Sequence, residues 1–90
     1  MRTIEWASAF KRDFKRVSRS VKNLETLLDP VLRMLAADQP LAERFRDHGL
    51  AGSWAGYRDC HIRPDLVLIY SKSDSETLRL ARLGSHSDLF

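Results

Sequence analysis

The longest apolar run in the chain is Leu66–Tyr70 (LVLIY), and it is only five residues long. A membrane-spanning helix needs roughly 18–20 such residues, so no segment here reads as one. A short run that is apolar on both faces and bounded by turn residues reads as a central strand. The turns are Arg63-Pro64-Asp65 before it and Lys72-Ser73-Asp74-Ser75 after it. A central strand needs partners, and the flanking segments supply them. From Trp54 the pattern takes period 2: Tyr57, Asp59, His61 and Arg63 share one face, and Arg58, Cys60 and Ile62 the other. Thr77 to Leu83 alternates in the same way, and Gly84 ends it.

The N-terminal half follows a helical period. Ile4 and Trp6 alternate within Arg2–Trp6, which reads as an edge strand. Trp6, Phe10, Phe14, Val17 and Val21 then recur at steps of three and four, with Ser8 as the expected N-cap. Asn23 is the expected cap of a second helix with Leu24, Leu27, Leu28, Val31, Leu32 and Leu35 on its apolar face. Pro30 falls inside that pattern and is expected to kink or split it near Asp29. Pro40 marks its exit, and the glycine-containing stretch from Glu43 to Ser53 reads as loop. The whole is α+β: an N-terminal strand, two helices, then an antiparallel meander of three or four strands, with the helices packed on one face. Ninety residues suit one domain, 1–90.

Charge is unevenly spread. The net charge is +3, and residues 1–22 hold Arg2, Lys11, Arg12, Lys15, Arg16, Arg19 and Lys22 against Glu5 and Asp13. Arg44, Arg46, Arg58 and Arg63 form a second group. This balance suits an anionic partner, nucleic acid or an acidic protein; the plainer alternative is a solvated helix face. One cysteine, Cys60, leaves no internal disulfide and fits a reducing, cytoplasmic setting. The first sixteen residues are too charged for a secretory signal, and no membrane association is expected.

All three histidines, His48, His61 and His86, lie in the last 43 residues, together with Asp65 and the aromatic Phe90. Meander geometry allows His48, His61, Asp65 and His86 to converge on one rim of the sheet, with Asp59 placed to orient His61. Histidines and a carboxylate on a small basic protein are the ingredients of metal-free RNA cleavage. A base takes the 2′-hydroxyl proton, an acid protonates the leaving 5′-oxygen, and cations hold the phosphorane charge. Histidine serves both proton roles because it titrates near neutrality. The alternatives are structural or merely exposed histidines and a zinc or iron site, although spacings of 13 and 25 residues match no compact ligand motif. No cofactor is called for. Cys60 points away from His61 and makes a poor nucleophile. Trp54, between glycines, reads as seating the loop between helix and sheet. Phe90 reads either as a base-stacking group or as a plug for the core.

The segments LAGSWAGYRDCHIRPDLVLIY and LARLGSHSDLF resemble the YafQ-type toxins of the RelE/ParE superfamily. The residues carrying the resemblance are His48, Leu50, Gly52, Trp54, Gly56, Arg58, Asp59, His61, Pro64, Asp65, Ile69, Tyr70, Arg82, Gly84, His86, Leu89 and Phe90. The N-terminal half matches in layout alone. The resemblance implies a RelE-like fold and a ribosome-dependent endoribonuclease that cuts messenger RNA in the A site. It also implies a cognate antitoxin that wraps the toxin and, with it, regulates transcription. His48, His61, Asp65 and His86 are then the expected catalytic residues, with His48 as base and His86 as acid. Phe90, Arg58, Arg63, Lys11, Arg12, Lys15 and Arg16 are expected to hold mRNA and ribosomal RNA. One departure is Leu66, where some relatives carry Trp after the Pro-Asp pair. Two competing functions are a ParE-like gyrase inhibitor without RNase activity and a non-catalytic nucleic-acid-binding module.

Overall fold

The computed structural model describes all residues, Met1–Phe90. Strand β1 (Thr3–Trp6) leads into helices α1 (Ser8–Val17) and α2 (Leu24–Ala36). Strands β2 (His48–Gly49), β3 (Arg58–Arg63), β4 (Leu66–Ser71) and β5 (Thr77–Gly84) follow, and a one-turn helix α3 (His86–Leu89) ends the described elements. All five strands form one sheet in the order β1-β5-β4-β3-β2. The meander has four strands, β2 to β5, all antiparallel, while β1 joins the far side of β5 in parallel, with Thr3 opposite Thr77 and Trp6 opposite Leu80.

β4 is the central strand that its apolar run requires, and all six of its residues are buried. Leu66, Leu68 and Tyr70 point to the helix side. There they join Cys60 and Ile62 of β3 and Leu78, Leu80 and Leu83 of β5 against Phe10 and Val17 of α1 and the buried face of α2. Each fully buried side chain of this size contributes about 1.5–3 kcal/mol by leaving water. Leu80 and Leu83 are three residues apart, so strict alternation would put them on opposite faces. A bulge resolves this: Ile69 pairs with Arg82 and Tyr70 with Leu80, leaving Ala81 as the extra residue.

The opposite face of the sheet carries a smaller cluster, Val67, Ile69, Ala81 and Leu89, with Leu50, Trp54 and Tyr57 packed against it. The loop that Trp54 was expected to seat and the α3 turn therefore cover part of this face, and the remainder is polar.

Local expectations needed three corrections. Ala7, not Ser8, occupies the cap position of α1; Ser8 is its first helical residue, and no side chain caps it. Asn23 does precede α2, but in the left-handed region (φ 56°) and without a capping bond; its role is the sharp entry that Asn tolerates. Pro30 does not split α2, which runs unbroken from Leu24 to Ala36. Pro30 removes one intrahelical hydrogen bond, but Leu24, Leu28, Val31, Leu32 and Leu35 on both sides of it are buried and hold the two halves on the sheet.

Candidate active site

The polar part of the second face starts at the sheet edge. His48 pairs directly with Asp59 across β2 and β3. The His48 Nδ1 lies 2.8 Å from the Arg46 carbonyl oxygen, which can only accept, so Nδ1 carries the ring hydrogen. In the neutral ring, Nε2 then keeps its lone pair. The Asp59 carboxylate is 3% exposed. Its Oδ1 lies 3.1 Å from His48 Nδ1, yet has no well-directed donor of its own because the ring hydrogen points at Arg46. A buried carboxylate so placed is poised to stabilise positive charge on His48. Asp59 thus contacts His48 rather than His61, its expected partner, because the cross-strand pair is closer than the next residue along the same face.

Asp47, which the sequence reading did not single out, anchors this edge. The Tyr70 hydroxyl, on a side chain otherwise buried in the core, donates to Asp47 Oδ1, and Arg58 Nε donates to the same oxygen at 3.3 Å. Burial, followed by the Asp47 carboxylate, pushes the Tyr70 phenol well above its ordinary value, so it stays a donor. Arg58, expected to hold RNA, is partly engaged here. A polar residue directly before a candidate histidine, with a tyrosine ending the central strand, was the available signal for this contact.

His61, half-buried, has its Nδ1 3.3 Å from the Pro64 carbonyl oxygen at the β3–β4 turn. His61 pairs with Val67, and Val67 with Gly84. Adjacent strands lie about 4.8 Å apart, so His61 and Gly84 are separated by about 10 Å across the sheet. Two residues beyond that row are Asp65, exposed in the turn, and His86. His86 lies just beyond β5, which ends at Gly84. It opens α3, because Ser85 and Asp88 form a capping box: Ser85 Oγ accepts from the Asp88 amide at 3.2 Å, and Asp88 Oδ2 from the Ser85 amide at 3.3 Å. The turn swings the exposed His86 ring onto Phe90, with ring centroids 4.8 Å apart and planes tilted by 31°. The register places His48 and His61 on the neighbouring strands β2 and β3, and Asp65, His86 and Phe90 beyond the ends of β4 and β5, with three strand spacings between the His48 strand and β5. The surface is open; the larger concavities lie elsewhere, such as a groove of about 650 Å³ between Trp6, Phe14 and α2.

Lys11, Arg12 and Lys15 are exposed along α1 and form no ion pair, and Arg63 is likewise exposed and unpaired. Arg16 differs: it bonds Asp13, Asp88 and the Leu83 carbonyl. Cys60 is fully buried on the helix side; burial, then Asp47 and Asp59, push its thiol far above the ordinary value, so it holds its proton.

Residues 2–90 match the family described as bacterial toxin of type II toxin–antitoxin system, YafQ. The chain belongs to this family. It is 37% identical over 89 residues to the mRNA interferase toxin YafQ of Escherichia coli K12, covering 99% of this chain and 96% of that one. A copper-bound mutant toxin from Helicobacter pylori is 38% identical, with full coverage of both chains and a TM-score of 0.93. YafQ in the Escherichia coli DinJ–YafQ complex is 35% identical over 100% of this chain and 99% of that one, with a TM-score of 0.84.

Against this family background two details of the present chain stand out. No three His, Cys, Asp or Glu side chains come together as a group that could hold a metal ion. Leu66, where some YafQ-type toxins carry Trp, is 4% exposed and packs in the helix-side core. Its side chain therefore supports the site from beneath rather than lining it.

Proposed function

We propose that residues 1–90 act as one RelE-like unit, a cytoplasmic toxin that cleaves messenger RNA in the ribosomal A site without a metal and is neutralised by a cognate antitoxin. The observation that carries this reading is the His48–Asp59 pair: a histidine with its tautomer fixed by a backbone carbonyl, a free Nε2, and a buried carboxylate behind it. The names of the relatives supply the class of reaction and partner: an mRNA interferase, and a complex with DinJ.

In the proposed reaction His48 Nε2 takes the proton from the 2′-hydroxyl. The 2′-oxygen forms a bond to the adjacent phosphorus, the P–O5′ bond breaks, and His86, initially protonated, gives its proton to the departing 5′-oxygen. The products are a 2′,3′-cyclic phosphate and a 5′-hydroxyl. Asp59 stabilises the imidazolium formed on His48. His61 and Asp65 orient the phosphate and stabilise charge, and Phe90, stacked beside His86, offers a ring to a base. Lys11, Arg12, Lys15 and Arg63 hold ribosomal RNA and message backbone, and the ribosome supplies the bent substrate geometry that an open surface does not impose. A gyrase-inhibiting reading leaves the His48–Asp59 pair without a task.

The test is cleavage of an end-labelled mRNA, free and on programmed ribosomes in magnesium buffer, by protein first stripped of metal with EDTA and then freed of the chelator. The expected result is cutting at the A-site codon on ribosomes alone, falling about 10²–10⁴-fold in His48→Ala and in His86→Ala. Equal cutting by both variants and the unmodified protein would sink the proton-transfer assignment.

A further inference from the structure

We infer that Arg16 is a positioning residue, a strap from α1 that bridges Asp13 and Asp88 and so fixes where His86 and Phe90 stand. The inference rests on the reading of those two residues as part of the cleavage centre. Its starting point is that α3 cannot hold itself. Four residues close one helical turn, whose nucleation cost is not recovered at that length. Within α3 only Leu89 is buried, so the position of His86 must be set by contacts from outside the turn.

Leu89 packs on Val67, Ile69 and Ala81 of the sheet, and the polar contacts come from α1. β1 pairs with β5 only from Thr77 to Leu80, which leaves the Leu83 backbone at an open sheet edge. Two side chains one helical turn apart take the place of the missing strand. Asp13 Oδ2 accepts from the Leu83 amide at 3.0 Å, and Arg16 Nη2 donates to the Leu83 carbonyl at 3.3 Å. Arg16 Nη2 also bonds Asp13 Oδ1 at 3.2 Å, while its Nη1 reaches Asp88 Oδ2 at 3.2 Å. Arg82 Nε, 2.6 Å from Asp13 Oδ2, completes the charge balance. The guanidinium passes directly over Gly84: a Cβ there would stand 3.2 Å from Arg16 Nη2 and 3.4 Å from Asp88 Oδ2. Glycine at this position leaves room for the strap. Burial alone would raise the Asp13 carboxyl, but Arg82, the Leu83 amide and Arg16 together hold it below its ordinary value. The Ser85 hydroxyl and then Arg16 do the same for Asp88. Three acceptors on one planar fork suit arginine and not lysine. They also satisfy the charge of Arg16 within the protein, unlike that of Lys11, Arg12 or Lys15.

The test uses the full chain with Arg16→Met, Asp88→Asn and both together, measuring kcat and KM on ribosome-bound message and amide hydrogen exchange by NMR. Each single change should lower kcat about 10–100-fold, as expected when a proton donor is misplaced by about 1 Å, with KM within about twofold. The double change should be no worse than the worse single one. Leu89 and Phe90 amides should exchange at least about tenfold faster while β4 amides stay protected. An Arg16→Met protein that raises KM with normal Leu89 and Phe90 exchange would mark Arg16 as a phosphate contact and overturn the inference. So would Asp88→Asn at full kcat, because a carboxylate cannot grip phosphate. If the unmodified protein cuts no RNA, the cleavage reading fails, and the exchange rates still decide the strap.

Discussion

Replacing Asp59 with asparagine isolates one charge at constant shape. When His48 accepts a proton, a positive ring stands 3.1 Å from the Asp59 carboxylate. At an effective dielectric of about 20, two unit charges at that separation attract by about 5 kcal/mol. The His48 side chain is 56% exposed, and water at that ring reduces the attraction several-fold, to about 1–2 kcal/mol. Each 1.4 kcal/mol is a factor of ten in rate. Asp59→Asn should therefore cut about tenfold more slowly in single-turnover assays on programmed ribosomes, against about 10²–10⁴-fold for His48→Ala. The loss stays small because the Arg46 carbonyl continues to fix the His48 tautomer. Stability should move the other way. Asp59 Oδ1 is buried without a directed donor, so a neutral amide relieves desolvation, and the urea midpoint should hold or rise. A rate equal to that of the unmodified protein would refute the account of Asp59. A loss as large as that of His48→Ala, with the fold intact, would refute it too, by giving Asp59 a part in proton transfer itself.

Two further outcomes follow from the surface charges. Changing Lys11, Arg12 and Lys15 together to glutamine should weaken ribosome binding and flatten the dependence of log K on log salt by about 2–3 units, since each released phosphate contact is worth somewhat less than one; an unchanged slope in a salt titration would place the RNA elsewhere. Asp38 receives hydrogen bonds from Lys72 Nζ at 2.7 Å and Arg2 Nε at 2.8 Å, and these hold its carboxyl at about 2. Its contribution to stability is therefore full above the ordinary aspartate value and disappears as pH falls through about 2. Asp38→Asn, tolerated at φ 56°, should lower the urea midpoint at pH 7 and match the unmodified protein near pH 2.

Much of this fold was legible because single segments specify it. LVLIY could be little other than a central strand, and the Phe10, Phe14 and Val17 stripe little other than a helix face on a sheet. The position of β1 was not legible, since a parallel pairing to the last strand leaves no local mark. The β4–β5 bulge left only one mark, the break in alternation between Leu80 and Leu83, which shows that a residue is extra but not that it is Ala81. At the site, the histidines were visible as residue types, and the meander was enough to suggest a common rim. Their partners depend on register and were not visible: Asp59 turns to His48 because the two are cross-strand neighbours. Asp13, Arg16 and Asp88 looked like ordinary surface charges until the ends of β1 and α3 were known.

The pairing of Thr3 with Thr77 also sets a clock. Synthesis proceeds at about 5–20 residues per second, so roughly 4–15 seconds pass between the making of β1 and of its partner β5. Through that interval the outer strand has no neighbour, the anchor for α1 is missing, and His86 and Phe90 have not yet been added. Until β5 is made, the growing chain has no complete sheet on which the proposed cleavage centre could stand. The fold therefore closes late, with its first strand waiting for its last, and that delay is an interval open to the proposed antitoxin.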